Sequence, residues 1–281
     1  MPTPFTDGDV DTAAIQSNVR KWMAAGLGGI VAVGTNGEAA LLEDDEADAV
    51  IAAARREVPA DRVLIAGCGH ESTRATIAAA RRAAGAGADA VLVKTPSVYR
   101  AHVTPAGLIA HYTAVADASP VPVLLYNFPA STNVNLAPET VARLAAHPNI
   151  IGMKETSTDG AQFADLAAAV PETFTVLCGA APGVYAALCA GAKGAIIAVS
   201  ALRPALCLDL LAHVRAGRYA DALALQRRIT PLGRAVTTTY GIPGLKTALD
   251  LTGYCGGAPR PPLPPLAADA VEKIRTLLDA N

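Results

Sequence analysis

The chain has 281 residues, a formal net charge of -2, 52% hydrophobic and 17% charged residues. That length suits one large α/β barrel or two ordinary domains, and the near-neutral charge lacks the basic surface of a nucleic-acid binder. No unbroken apolar run reaches the length of about eighteen residues that a membrane span needs, and no basic N-region with an apolar core opens the chain, so the sequence predicts a cytoplasmic protein.

Taken in order, M-P-T-P-F at the start offers only a stub of a strand, which a start upstream of Met1 would lengthen. G-I-V-A-V-G (29–34) is the first clear strand, and the acidic run Glu43–Glu46 reads as the first turn of a helix, where carboxylates suit the dipole. V-L-I-A-G-C (63–68), A-V-L-V-K-T (90–95), P-V-L-L-Y-N (122–127), I-I-G-M-K-E (150–155), T-V-L-C-G (175–179) and A-I-I-A-V-S (195–200) follow. Each has the length and β-branched content of a strand buried on both faces. Alanine-rich segments between them read as helices, one of them opened by Pro138-Glu139. Strand starts lie about 30 residues apart, the length of a βα unit. Seven parallel strands predict a doubly wound sheet or a (β/α)8 TIM barrel, and the barrel is preferred, with the N-terminal stub as its eighth strand. Residues 1–202 are assigned to the barrel and 203–281 to a C-terminal helical extension packed on it, broken by a Pro/Gly-rich stretch at 253–265.

The five cysteines form no C-x-x-C pair and are odd in number, which argues against a disulfide framework or a zinc site and reads as buried thiols. The five histidines have no metal-ligand spacing and read as surface or structural. No G-x-G-x-x-G follows a strand, so a dinucleotide site has no support.

Active sites of barrels gather at the C-terminal ends of strands. Lys154 ends the strand at 150–155, and Lys94 and Ser200 also stand at strand ends. The bland reading of Lys154 is an interior ammonium paired with a carboxylate. The sharper one is a neutral amine that attacks a ketone and forms a Schiff base, favoured where burial penalises the charged form. Lys94 is a rival, because residues alternate between faces of a strand and sequence does not fix the parity. Tyr126 is either a proton-transferring phenol or a structural ring. The turn G-T-N-G-E (34–38) gives close backbone approach through its glycines, with Thr35 and Asn36 adding a hydroxyl and an amide for a carboxylate.

G-T-N-G-E after an early strand, Y-N-F-P at 126–129 and G-M-K-E-T-S at 152–157 occur in an order that resembles the dihydrodipicolinate synthase and N-acetylneuraminate lyase family of class I aldolases. The resemblance covers nearly the whole chain. It implies a barrel with a C-terminal helical extension, a homotetramer built as a dimer of dimers, and a small 2-oxo acid such as pyruvate as substrate. It implies no metal or organic cofactor, since the lysine supplies the electron sink. It gives Lys154 the Schiff base, Tyr126 the proton transfer, Thr35 and Asn36 the substrate carboxylate, and the Ile196 carbonyl a place lining the site. Lys94 falls where the family has an apolar or small residue.

Three positions depart from the synthase. Asn36 replaces a second threonine, Ser131 replaces an arginine that binds a second carboxylate, and Val98 replaces a relay tyrosine that the synthase borrows from a neighbouring subunit. Tyr99 is next to Val98 and serves as the relay only if the loop is shifted. Y-G-I-P-G-L-K (240–246), G-Y-C-G-G-A-P-R (253–260) and H-P-N-I-I-G-M-K (147–154) look closer to 4-hydroxy-2-oxoglutarate aldolase. That activity is the leading expectation. The synthase, a 2-keto-3-deoxysugar acid aldolase or dehydratase, and a non-catalytic 2-oxo acid binding protein are the alternatives.

Overall fold

One carboxylate sets the entry to the first helix: Asp11 Oδ1 accepts from the Ala14 N–H at 2.8 Å, and α1 (Thr12–Ala24) begins there. The computed structural model describes residues 1–280. Before α1, β1 (Phe5–Thr6) and β2 (Asp9–Val10) pair antiparallel. The N-terminal stub therefore becomes a hairpin in place of a full parallel strand. Asp7 and Gly8 have φ of 54° and 93°, and a two-residue turn with positive φ at both positions folds the chain straight back.

Clustering divides the chain into two compact units, Met1–Leu64 with the chain from Ile197, and Ile65–Ile196. In the first unit, α1 buries Ile15, Val19 and Trp22, one face of a helix. Trp22 stacks on Tyr254 and donates from Nε1 to the Ala201 carbonyl at 2.9 Å. β3 (Gly29–Ala32) leads to α2 (Asp44–Arg55), whose first turn holds the expected acidic run. Glu46 reaches back to the Glu43 N–H at 2.9 Å, the return half of a capping box. β4 (Val63–Gly67) starts beside β3, with the Val63 N–H donating to Gly28 O at 3.2 Å.

The second unit alternates strand and helix: α3 (Thr73–Gly85), β5 (Ala90–Lys94), α4 (Pro105–Ala118), β6 (Val123–Asn127), the short α5 (Pro129–Thr132), α6 (Pro138–Leu144), β7 (Ile150–Glu155), α7 (Gly160–Ala169), β8 (Thr175–Cys178), α8 (Val184–Cys189) and β9 (Gly194–Ala195). From β4 to β9 the strands neighbour one another in chain order, every pair parallel. The strand expected at 195–200 is short. Residues Ala198–Ala201 wind into a 3-10 turn, and Ser200 Oγ closes it on Ile197 O at 2.7 Å, so Ser200 does not stand at a strand end.

One irregularity governs the sheet. Between β6 and β7 the register runs Val123↔Ile150 and then Leu124↔Gly152, so Ile151 is an extra residue on β7. Beyond that bulge Tyr126 pairs with Lys154 and Asn127 with Glu155. Without it, Met153 would stand beside Tyr126 and Lys154 would turn to the opposite face.

The first unit is completed by α9 (Pro204–Arg215), α10 (Tyr219–Arg234), α11 (Gly241–Leu251) and α12 (Ala268–Asp279), and the expected break separates α11 from α12. Among the thiols, Cys68 and Cys178 are buried as expected, whereas Cys207 and Cys255 are half-buried and Cys189 is exposed at the end of α8. No helix among the described residues is long and apolar enough to cross a membrane.

The loop between α11 and α12 is anchored by Arg260. Its guanidinium donates to both Glu46 oxygens at 2.6 Å and lies 4.3 Å from the Phe5 ring centroid. The Arg260 hydrogen bonds hold the Glu46 carboxyl below the ordinary carboxylate range, against its partial desolvation. A carboxylate depressed in the fold contributes stability above its unfolded pKa, and that stability is lost as pH falls through the folded value. Arg260→Gln is expected to lower unfolding free energy by about 1–3 kcal/mol at neutral pH. Thermal melts of the variant and the parent chain should differ most at neutral pH and converge below the ordinary carboxylate range.

Candidate active site

β5, β6 and β7 end level with one another. Lys94 pairs with Tyr126 and Tyr126 with Lys154, so all three project to one face of the sheet. The Lys154 Nζ sits 4.3 Å from the Tyr126 ring centroid, and that ring, only 4% exposed, stacks on Phe128 at 5.9 Å. The parity that sequence leaves open is thus settled, and it does not separate the two lysines.

The opposite face carries the support. Asn127 Nδ2 donates to Glu155 Oε2 at 2.7 Å and Gln162 Nε2 donates to the same oxygen at 2.7 Å, while the Ser157 N–H donates to Oε1 at 2.7 Å. Asn127 Oδ1 accepts from the Leu136 N–H at 3.0 Å. Both Asn127 and Glu155 are fully buried. Each follows a candidate catalytic residue in the chain, so this network clamps the backbone of Tyr126 to that of Lys154. Beside Glu155 on β8, the Cys178 thiol is pushed up to about 11 by burial and is an inert neighbour.

Alternation returns Thr156 to the Lys154 face. Gly179 is decisive there: a Cβ at this position would lie 2.8 Å from Lys154 Cε and would also collide with Thr156 Oγ1. The lysine stem therefore passes over a position that only glycine leaves open. The hydroxyls of Thr156 and of Thr95 are buried and have no hydrogen-bond partner. Buried polar groups are ordinarily satisfied, so the Thr156 hydroxyl on the Lys154 face is available to a polar ligand, whereas Thr95 follows Lys94 and turns to the opposite face. Thr95 and Thr156 occur in the sequence only within A-V-L-V-K-T and G-M-K-E-T-S, with no role assigned, and Gly179 is unassigned too, although a glycine directly after a strand is a sign of close approach.

The other expected residues are placed as follows. Thr35 and Asn36 lie in the first unit, in a 3-10 turn that follows β3. Ser131 is exposed on α5, and the Ile196 N–H extends the β8–β9 ladder to Cys178 O at 2.8 Å. Glu71 holds the loop after β5. Partial burial opposes its charge, but donation from the Val98 N–H, the Ser97 N–H and Ser97 Oγ outweighs it, and its carboxyl lies below the usual range. Held this way, Val98 and Tyr99 are 65% and 72% exposed.

Residues 1–281 match the Dihydrodipicolinate synthetase family. The chain belongs to that family. Among its relatives, 4-hydroxy-tetrahydrodipicolinate synthase from Exiguobacterium sp. is 37% identical over 280 residues, covering 99% of this chain and 95% of the relative. The synthase of Nitrobacter hamburgensis is 37% identical over 279 residues, covering 98% and 92%. The crystal structure of dihydrodipicolinate synthase from Bacillus anthracis matches with a TM-score of 0.96 at 27% identity, covering 100% of this chain and 96% of that one. The chloride-inhibited synthase of Acinetobacter baumannii, complexed with pyruvate, matches with a TM-score of 0.94 at 32% identity, covering 100% and 96%. The fold is the (β/α)8 TIM barrel with C-terminal helices that the sequence predicts. The protein is an enzyme, a class I lyase that works through a lysine Schiff base.

Gly179→Ala tests the lysine's channel. It is expected to slow turnover by about a hundredfold, the scale of an ångström's displacement of a reacting group. Stopped-flow imine formation should show the loss, with melting temperature changed far less than by Asn127→Ala.

Proposed function

We propose that Lys154 forms the imine with a small 2-oxo acid and that the reaction is the reversible aldol cleavage of a 4-hydroxy-2-oxo acid, 4-hydroxy-2-oxoglutarate first among them. The observation that carries this reading is the level pairing of Lys154 with Tyr126, with Nζ 4.3 Å from the ring centroid. Neutral Nζ attacks C2 of the substrate, and loss of water leaves an iminium that accepts electrons. Tyr126 takes the proton of the 4-hydroxyl as the C3–C4 bond breaks, and the bonding pair enters the iminium to give an enamine. An aldehyde departs, C3 is protonated, and water releases pyruvate from Lys154. Thr35 and Asn36 are assigned to holding the substrate carboxylate, the Ile196 carbonyl is assigned to lining the site as an acceptor, and the orphan hydroxyl of Thr156 suits a hydroxyl-bearing substrate. Ser131 offers the second substrate a hydroxyl and no charge.

A second reading is condensation of pyruvate with aspartate semialdehyde, favoured by the name that the relatives share. The departures at Asn36, Ser131 and Val98 count against it. The reading extends to a homotetramer, in which a neighbouring copy would cover the exposed Val98 and Tyr99. Sedimentation velocity checks the assembly.

Borohydride reduction in the presence of pyruvate should leave one adduct, mapped by peptide mass spectrometry to Lys154, and Lys154→Ala should abolish it. An adduct on Lys94 would overturn the assignment. Steady-state assays with 4-hydroxy-2-oxoglutarate and with the semialdehyde decide the substrate, with the former expected to turn over at least about tenfold faster.

A further inference from the structure

The turn that holds Thr35 and Asn36 ends in a strained residue. Glu38 has φ of 58°, a left-handed conformation that is costly for a non-glycine residue and persists only where its surroundings over-determine it. It is also 2% exposed. The surroundings come from far along the chain. Lys246, in α11 and wholly buried, donates from Nζ to Glu38 Oε1 at 2.6 Å, to Thr3 O at 2.8 Å and to Ala258 O at 2.8 Å. All three ammonium protons are thereby used. The Arg260 N–H takes Glu38 Oε2 at 2.7 Å, and Thr3 Oγ1 donates to Gly37 O at 2.7 Å. Gly256 packs against the Lys246 backbone where any Cβ would collide.

We propose that Lys246 is a positioning residue for catalysis: through Glu38 and Thr3 it fixes both the carbonyl of Gly37 and the side chain that closes the Thr35–Gly37 turn, and so sets the grip on the substrate carboxylate. This rests on the aldolase reading, in which Thr35 and Asn36 take that carboxylate. A buried ion pair is weak as a source of stability, since desolvation offsets the attraction. Burial lowers the Lys246 pKa here, opposed by the Glu38 hydrogen bond. What the pair supplies is a single geometry for a turn that would otherwise relax out of the left-handed region. The C-terminal helices then take part in substrate binding without touching substrate.

The test uses borohydride trapping of pyruvate on the full chain, with the pyruvate concentration for half-maximal adduct as readout. Lys246→Met and the doubly neutral Lys246→Met/Glu38→Gln are compared with the parent chain. The double variant leaves no unpaired buried charge and is expected to melt closer to the parent than the single one. Both variants should need about tenfold more pyruvate while still reaching a full adduct at saturation. A variant that melts lower but traps pyruvate at the parent concentration would make Lys246 merely structural and overturn the inference. Absence of an adduct in the parent chain would overturn the aldolase reading and this inference with it. Hydrogen exchange of the parent chain needs no variant. Pyruvate should protect both the peptide spanning 35–38 and that spanning 244–258, and protection confined to the first would also overturn the proposal.

Discussion

A single inserted residue decides what this sheet presents. Ile151 is the bulge of β7, and it shifts the pairing with β6 by one position so that Lys154, and not Met153, stands level with Tyr126. The shift has visible consequences on both faces. Toward one side it delivers the amine beside the phenol ring. Toward the other it brings Glu155 within 2.7 Å of Asn127, where hydrogen bonds lock the new register. Gly152, directly after the bulge, approaches the Thr175 backbone so closely that a Cβ would collide, so the bulged strand keeps its neighbour on the far side as well. Bulges recur next to active sites because they re-aim side chains, and this one re-aims the residue proposed to form the imine.

Two different kinds of polar clamp hold the candidate site residues, one within each unit. In the second unit its donors are uncharged, with amide groups of Asn127 and Gln162 and the Ser157 N–H satisfying one carboxylate. In the first unit it is charged and joins segments distant in sequence, with Lys246 and Arg260 meeting Glu38 and Glu46. The difference follows from what each must fix. Adjacent strands already share a backbone ladder, and a few uncharged donors on one carboxylate suffice to hold their ends. A strained turn has no ladder, and charge-assisted hydrogen bonds are the stronger restraint.

Much of this was legible in the chain. Apolar runs of strand length announced β3 to β8 nearly residue for residue, because strands buried on both faces leave no room for polar alternation. The acidic turn of α2 and the proline at the start of α6 carried their own local signals. The N-terminal hairpin was missed although Asp7-Gly8 is a turn dipeptide, since its flanking strands are only two residues long. The ninth strand was overextended because I-I-A-V looks like a strand, while its backbone winds into a 3-10 turn. Motif order pointed to Lys154 and Tyr126. Gly179 carried only the general sign of a glycine after a strand, because its role is to leave space for a side chain twenty-five positions earlier (179 against 154), and only the register of β7 with β8 brings them together.

The same contrast bears on how far the relatives' name reaches. In the proposed function imine formation depends on the ends of β6 and β7, on Gly179 and on the clamp behind them, all set by backbone register. A TM-score of 0.96 at 27% identity means that register outlasts most of the sequence. In the proposed function the second substrate is met by loop tips, and those are Ser131 on a four-residue helix and Val98 on a loop held by Glu71, both exposed. Loops diverge faster than the scaffold that carries them and hold most of a fold's specificity. Identity of 37% with a synthase therefore speaks firmly for the half of the reaction written in the sheet. For the other half the proposed function rests on the residues at the loop tips, where Ser131 and Val98 stand in place of the arginine and tyrosine expected of a synthase.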